Sequence, residues 1–151
     1  MKKIQIYTDG SSRGNPGPGG YGVVLESDGY NKELSGGFKK TTNNRMELLA
    51  VIIGLEALKI KPSDVIIYSD SKYVIDAVLK KWVIKWEEKN FKDKKNPDLW
   101  KRFLKTYRYH NVKFQWIKGH SNHLQNERCD SLAVKAALGN KLDEDKFYEK
   151  S

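Results

Sequence analysis

Residues 7–27 read YTDGSSRGNPGPGGYGVVLES, and within them Gly17, Gly19 and Gly22 spell G-x-G-x-x-G. A dinucleotide-binding loop with that spelling needs a strand before it, a helix opening on its glycines and an acidic residue roughly 20 positions on. The alternating run KKIQIY supplies the strand. The other two conditions fail. YGVVLES, rich in β-branched and aromatic residues, reads as a second strand, and positions 39–42 are Lys39, Lys40, Thr41 and Thr42. The stretch is therefore a strand-to-strand connection, stiffened by Pro16 and Pro18, whose glycines allow close backbone approach. The fold opens antiparallel, and Asp9 stands at the mouth of the connection.

Working outward, Lys3 to Tyr7, Tyr21 to Ser27 and about Tyr30 to Gly36 are predicted strands, the last two joined by an Asp28-Gly29 turn. Met46 to Leu58 is apolar on nearly every face, as a helix covered on both sides must be. DVIIYSD, after Pro62-Ser63, has the near-continuous apolar character of a buried parallel strand. A helix over Ser71–Leu79, one or two more helices broken near Asn96-Pro97, a strand over Val112–Lys118 and a helix over Asn126–Leu138 complete the order β-β-β-α-β-α-α-α-β-α. That order predicts an α/β fold: a five-stranded mixed sheet, three strands antiparallel and two parallel, with helices on both faces. Residues 1–140 are expected to form a single domain and 141–151 a polar tail.

The chain has 151 residues and a formal net charge of +9. Between Lys80 and Arg108 lie eleven basic and four acidic residues, interleaved with Trp82, Trp86, Phe91 and Trp100. Such a segment suits a surface that follows a phosphate backbone and offers flat faces to sugars or bases, although tryptophans also serve packing. A single cysteine, Cys129, excludes an internal disulfide and a cysteine-based zinc site. With no apolar leader and no run near the roughly 18 apolar residues that span a bilayer, a reduced cytoplasmic setting without membrane attachment is expected. Nothing in the sequence calls for more than a monomer.

Four acids occupy distinctive places on this map. Asp9 ends the first strand, Asp70 ends the fourth, Glu47 lies in the first turn of the apolar helix, and Asp130 lies near the start of the last helix. If the first and fourth strands are parallel neighbours, Asp9 and Asp70 emerge together at their carboxyl ends, where open α/β sheets bind ligands. Each acid has a local alternative: Asp9 as turn former, Asp70 as helix cap, Glu47 as partner of Asn44 in a capping box, Asp130 as helix surface. Convergence of all four would need cations or protons, since two like charges ~5 Å apart repel by about 3 kcal/mol at an effective dielectric near 20. Oxygen-only ligation points to a hard divalent ion, Mg2+ or Mn2+, and on a basic protein to two-metal phosphoryl chemistry.

The blocks YTDGSSRGNPGPGGYG, TTNNRMELLAVIIGL, YSDSKYV and WIKGHSNHLQNERCDSLA resemble, in this order, the motifs of bacterial type 1 ribonuclease H. The likeness covers residues 3 to 138. It implies the ribonuclease H-like fold and hydrolysis of the RNA strand of RNA–DNA hybrids, leaving 5′-phosphate and 3′-hydroxyl ends. It implies two Mg2+ ions, replaceable by Mn2+, held by Asp9, Glu47, Asp70 and Asp130, with Asp9 matching the residue that bridges them. His120 matches a histidine that assists proton movement or product and metal release; His123 matches no family role, and His110 reads as a helix-end residue. Gly10, Asn15, Asn43, Asn44 and Ser71 match groups that read the RNA strand in the minor groove, and Thr42 and Arg45 would hold a DNA phosphate. The basic protrusion at about 80–96, with Lys80, Lys81, Trp82, Lys85 and Trp86, would grip the DNA strand, with no further hybrid-binding segment expected ahead of Lys3. Departures from the family pattern are Asn90-Phe91 where Gly-Trp is frequent, Glu87-Glu88 within the protrusion, Ser12 for cysteine and Lys72 for glutamine. A catalytically silent binding module would need a broken carboxylate set, and none is broken here. An integrase or a reverse-transcriptase fragment fits the NNRMEL and KGH motifs less well.

Overall fold

A computed structural model describes residues 2–58, 62–119 and 123–151. In chain order the elements are β1 (Lys3–Ser12), β2 (Gly17–Ser27), β3 (Tyr30–Thr41), α1 (Asn43–Glu56), β4 (Asp64–Ser69), α2 (Lys72–Leu79), α3 (Trp82–Glu88), α4 (Pro97–Tyr107), β5 (Asn111–Trp116), α5 (Leu124–Leu138), β6 (Leu142–Asp143) and α6 (Lys146–Lys150). The sheet runs β5-β4-β1-β2-β3-β6. β1, β2 and β3 are antiparallel, while β4 lies parallel to β1 and β5 parallel to β4. The expected order thus holds, with one strand and one short helix added at the carboxyl end.

Local chemistry explains the main turns. Asp28 and Gly29 both take positive φ, 47° and 77°, so the two-residue hairpin twists with its strands. Side chains alternate across the sheet, which gives it two apolar faces. Ile6, Val23 and Ile67 point into the larger core with Leu48, Ile52, Val74, Trp100 and Phe103, under α1, α2 and α4. Tyr7 and Val24, one residue along, pack with Cys129 of α5 on the opposite face, flanked by Tyr68 and Leu132. α1 is buried nearly all round because the sheet lies against one side and α4 against another. Each wholly buried Leu, Ile or Val there is worth about 1.5–3 kcal/mol of transfer free energy.

Glycines set how closely the helices approach. A Cβ on Gly22 would fall 2.2 Å from the carbonyl oxygen of Cys129, so α5 can lie on β2 only over a bare backbone. One on Gly10 would fall 2.3 Å from the backbone of Met46, which seats the end of β1 against the first turn of α1. The close approach foreseen for the Gly-rich stretch is thus made to the protein's own helices.

The residues after Leu138 do not trail off. Leu142–Asp143 pairs in parallel with Gly37–Phe38 at the β3 edge, and Asp145 is buried. A two-residue strand is too short for any alternation to announce it. Among the described residues no helix is long and apolar enough to cross a membrane.

Candidate active site

β1 and β4 pair in parallel up to Tyr7 opposite Tyr68; Asp70 follows the end of β4, and Asp9, which does not end β1 but is still paired with β2, stands at the same edge. Asp9 also sits opposite Gly22, the residue on which α5 rests, and this brings Asp130 to the same edge. Asp130 lies near enough there for its charge to raise Asp9. Glu47 arrives from α1, which Gly10 seats beside Asp9.

The electrostatics are those of neighbouring acids. Burial, then the nearby charges of Asp70 and Asp130, push Asp9 up to about 8. Glu47 is pushed up to about 7, first by burial and then by Asp70, against the lowering effect of hydrogen bonds from Ser71 and Asn43. Among the described residues no three acidic, histidine or cysteine side chains are placed closely enough to hold a metal ion. The oxygen-only donor set, and a repulsion relieved only by protons or cations, nevertheless fit hard divalent ions.

The surroundings hold these acids in place. Ser71 Oγ accepts from the Val74 N–H and caps α2. The indole N–H of Trp116 donates to the Asp70 carbonyl at 3.3 Å, and the Lys72 ammonium lies 5.1 Å from the centre of that indole ring. Gly119 lies against Asp70, where a Cβ would come within 2.9 Å of Oδ2. His120, the next residue, is outside the described residues. His123 caps α5 through Nδ1, which accepts from the Asn126 N–H, and its ring lies against Tyr7 and Tyr68. His110 is buried after α4, where its Nδ1 accepts from Ser63 N–H and burial pushes the imidazole down.

One local alternative and one expectation at the start of α1 need correction. The helix is capped by Thr42, whose Oγ1 accepts from Arg45 N–H at 3.3 Å, and not by an Asn44–Glu47 box. Glu47 instead accepts from the Asn43 amide at 3.1 Å. Arg45 is not available to a phosphate: it is 2% exposed and buried among protein partners. Its guanidinium reaches Asp145 twice (2.7 and 2.9 Å), Asp98 twice (2.9 and 2.8 Å) and the Asn96 carbonyl once (3.2 Å), which uses all five N–H groups. Burial works against that charge, but the bonds to Asp98 and Asp145 prevail and raise its pKa above the usual arginine value. These partners lie 53 and 100 residues away in sequence, and the signal for them was the cation itself, since an arginine on so buried a helix must have acids around it.

The RNase H family profile matches residues 1–138. The chain belongs to the RNase H family. It is 58% identical to Ribonuclease H of Desulforamulus reducens over 91% of this chain and 89% of that protein. It is 48% identical to Ribonuclease HI of Shewanella oneidensis over 99% and 96%. Among solved structures it resembles LC9-RNase H1, a type 1 RNase H with the type 2 active-site motif, with a TM-score of 0.84 and 30% identity over 100% of this chain and 82% of that one. LC11-RNase H1, solved in complex with an RNA/DNA hybrid, matches with a TM-score of 0.68 and 30% identity over 89% and 96%.

The remaining sequence candidates can be placed on this RNase H fold. Asn15 Oδ1 accepts from the Asn43 N–H at 3.2 Å, so the Gly-rich connection meets the start of α1, where Asn44 is exposed. In the protrusion Lys80, Lys81 and Lys85 are exposed, and the Lys80 ammonium lies over the 41%-exposed Trp82 ring. Trp86 is half-buried, edge-on to the fully buried Trp100, and Phe91 is also buried. Two of the four aromatics in the basic segment are thus core anchors. Asn90 and Phe91 both take positive φ, which explains why glycine suits position 90 and why asparagine can replace it. Glu87 is paired with Arg108 at 2.8 Å, which ties α3 to the end of α4. A cavity of about 640 Å³, lined by Lys3, Gln5, Ile66 and Lys113 among others, opens at the far end of the sheet and includes none of the four acids.

Proposed function

We propose that this ribonuclease H cuts the RNA strand of RNA–DNA hybrids at the Asp9–Glu47–Asp70–Asp130 cluster. The carrying observation is the convergence of these acids on the carboxyl edge of the sheet, with Asp9 raised to about 8 by burial, Asp70 and Asp130. Four carboxylates facing a polyanion are tolerable only with cations between them. Asp9, Glu47, Asp70 and Asp130 would hold Mg2+ or Mn2+ ions. Such ions lower the pKa of an attacking water and neutralise charge on the departing 3′-oxygen. Cleavage on that side of phosphorus leaves 5′-phosphate and 3′-hydroxyl ends.

The protein's own groups supply orientation. Asn43 and Ser71 hold the Glu47 carboxylate by hydrogen bonds, and Trp116 holds the Asp70 backbone. Asn15, Asn43 and Asn44 form one rim, with Gly10 buried beneath it, suited to 2′-hydroxyls in the wide minor groove of an A-like duplex. Thr42 beside them offers a hydroxyl to a phosphate. Across the surface, Lys80, Lys81, Trp82 and Lys85 grip the DNA backbone, with Trp86 packed beneath. His120 takes the proton-transfer and product-release role on the strength of the family likeness. LC11-RNase H1, a similar fold captured with a hybrid, supports the substrate class.

The test is a gel assay on hybrid, double-stranded RNA, single-stranded RNA and double-stranded DNA, each in Mg2+, Mn2+ and EDTA. Cleavage is expected only in the RNA of the hybrid and only with a metal. Equal cleavage of double-stranded RNA, or activity in EDTA, would overturn the reading.

A further inference from the structure

We infer that Arg45 and Asp145 are positioning residues for substrate, and that through them the carboxyl-terminal segment sets the spacing between the two surfaces that hold the duplex. The inference rests on the hybrid-binding reading above.

Arg45 belongs to the first turn of α1, directly after Asn43 and Asn44, and its neighbour Thr42 caps the helix. Asp98 belongs to the first turn of α4, and Asn96 is the residue through which the basic protrusion returns to the body. The Arg45 guanidinium bonds to both, and so joins the minor-groove rim to the root of the protrusion. Asn96 passes the link on: its amide donates to the Tyr73 hydroxyl at 2.9 Å, in the first turn of α2. Asp145 closes the joint from the carboxyl end. It takes two Arg45 N–H groups and, at 2.7 Å, the Thr41 hydroxyl at the end of β3. The pairing of β6 with β3 holds Asp145 there, and the Phe147 ring lies 5.7 Å from the guanidinium carbon.

A planar fork with five donors and five short bonds admits one orientation, which a flexible ammonium could not enforce. A rigid duplex that spans both surfaces gains from each only if their separation is preset. Arg45, which offers no donor to substrate, therefore acts on affinity through its neighbours.

The experiment compares the full-length wild type with Asp145→Ala, Asp145→Asn and a control, Leu25→Ala, which loosens the core at the far end of β2. Melting temperature, kcat and KM on a hybrid are measured well below each melting point, with hybrid affinity in EDTA alongside. Asp145→Ala is expected to raise KM and weaken hybrid affinity about tenfold, the equivalent of one charge-assisted contact, with kcat within about twofold. Leu25→Ala should lose comparable thermal stability and keep the wild-type KM. If Asp145→Ala does not fold, Asp145→Asn, which keeps one acceptor oxygen, should show the same KM shift at reduced size. An unchanged KM in a folded Asp145 variant, an equal shift in the control, or a loss confined to kcat would overturn the inference. A wild type that cannot cleave hybrid would defeat the functional reading alone, and the binding comparison in EDTA would still decide the joint.

Discussion

Arg45 and Glu47 stand two residues apart on α1 and belong to ionic clusters of opposite design. Around Arg45 every donor is matched: one cation meets two carboxylates and an amide, and its pKa is driven up. Around Glu47 charges of one sign face each other, and both Glu47 and Asp9 are driven toward their protonated forms. The first cluster is complete within the protein and serves to hold elements together. The second is unbalanced within the protein, and its repulsion is relieved only by protons or by cations such as the proposed divalent ions. Ionic groups that fix structure and those that perform chemistry can thus be told apart by whether the protein balances them.

The comparison can be broken most sharply by kinetics. Asp9→Asn should remove several kcal/mol of charge stabilisation, on the order of a thousandfold in cleavage rate, and leave hybrid affinity within about tenfold. Turnover near wild type in Mg2+ would remove the metal assignment. Arg45→Ala, in the balanced cluster, should cost about 3–5 kcal/mol of stability because it leaves two acids facing each other without a cation. Thermal or urea unfolding reads this directly, and a loss below ~1 kcal/mol would show that the joint is not closed as described.

Legibility in the sequence followed the same division. The like-charged set was readable because Asp9 and Asp70 follow the apolar stretches of their strands, and the condition of that reading, β1 parallel beside β4, is what the sheet supplies. The Asp28-Gly29 hairpin and the enclosed α1 carried their own local chemistry. Asp98 and Asp145 were not readable as partners of Arg45, since nothing local at any of the three marks a pairing 53 or 100 residues distant. Thr42 and Asn44 are both good caps, and tertiary packing decided between them. Gly22 looked like part of a loop motif because its use, a bare seat for α5, exists only after the helix docks.

Removal of metal sharpens the contrast through pH. Asp9, at about 8, and Glu47, at about 7, are raised above their ordinary carboxyl values, so the folded metal-free protein holds protons that the unfolded chain releases. Their contribution to stability is complete below about pH 4 and is lost as pH rises through about 7 to 8. In EDTA the melting temperature should fall across that window, and saturating Mg2+ should flatten the slope. A slope that is the same with and without metal would contradict the unbalanced site. The smallest effect belongs to the exposed cations: Lys80→Ala, Lys81→Ala and Lys85→Ala together should reduce the salt dependence of hybrid binding by about one log–log unit per lost phosphate contact. An unchanged slope would move the grip elsewhere.

The contrast between a balanced and an unbalanced buried cluster is read by melting Asp9→Asn and Asp145→Asn beside the wild type in EDTA near pH 8. Opposite signs are expected: Asp9→Asn melts higher than wild type because a repelling charge is gone, and Asp145→Asn melts lower because Arg45 loses a charged partner. If Asp9→Asn melts lower as well, the four acids are not in mutual repulsion and the contrast fails.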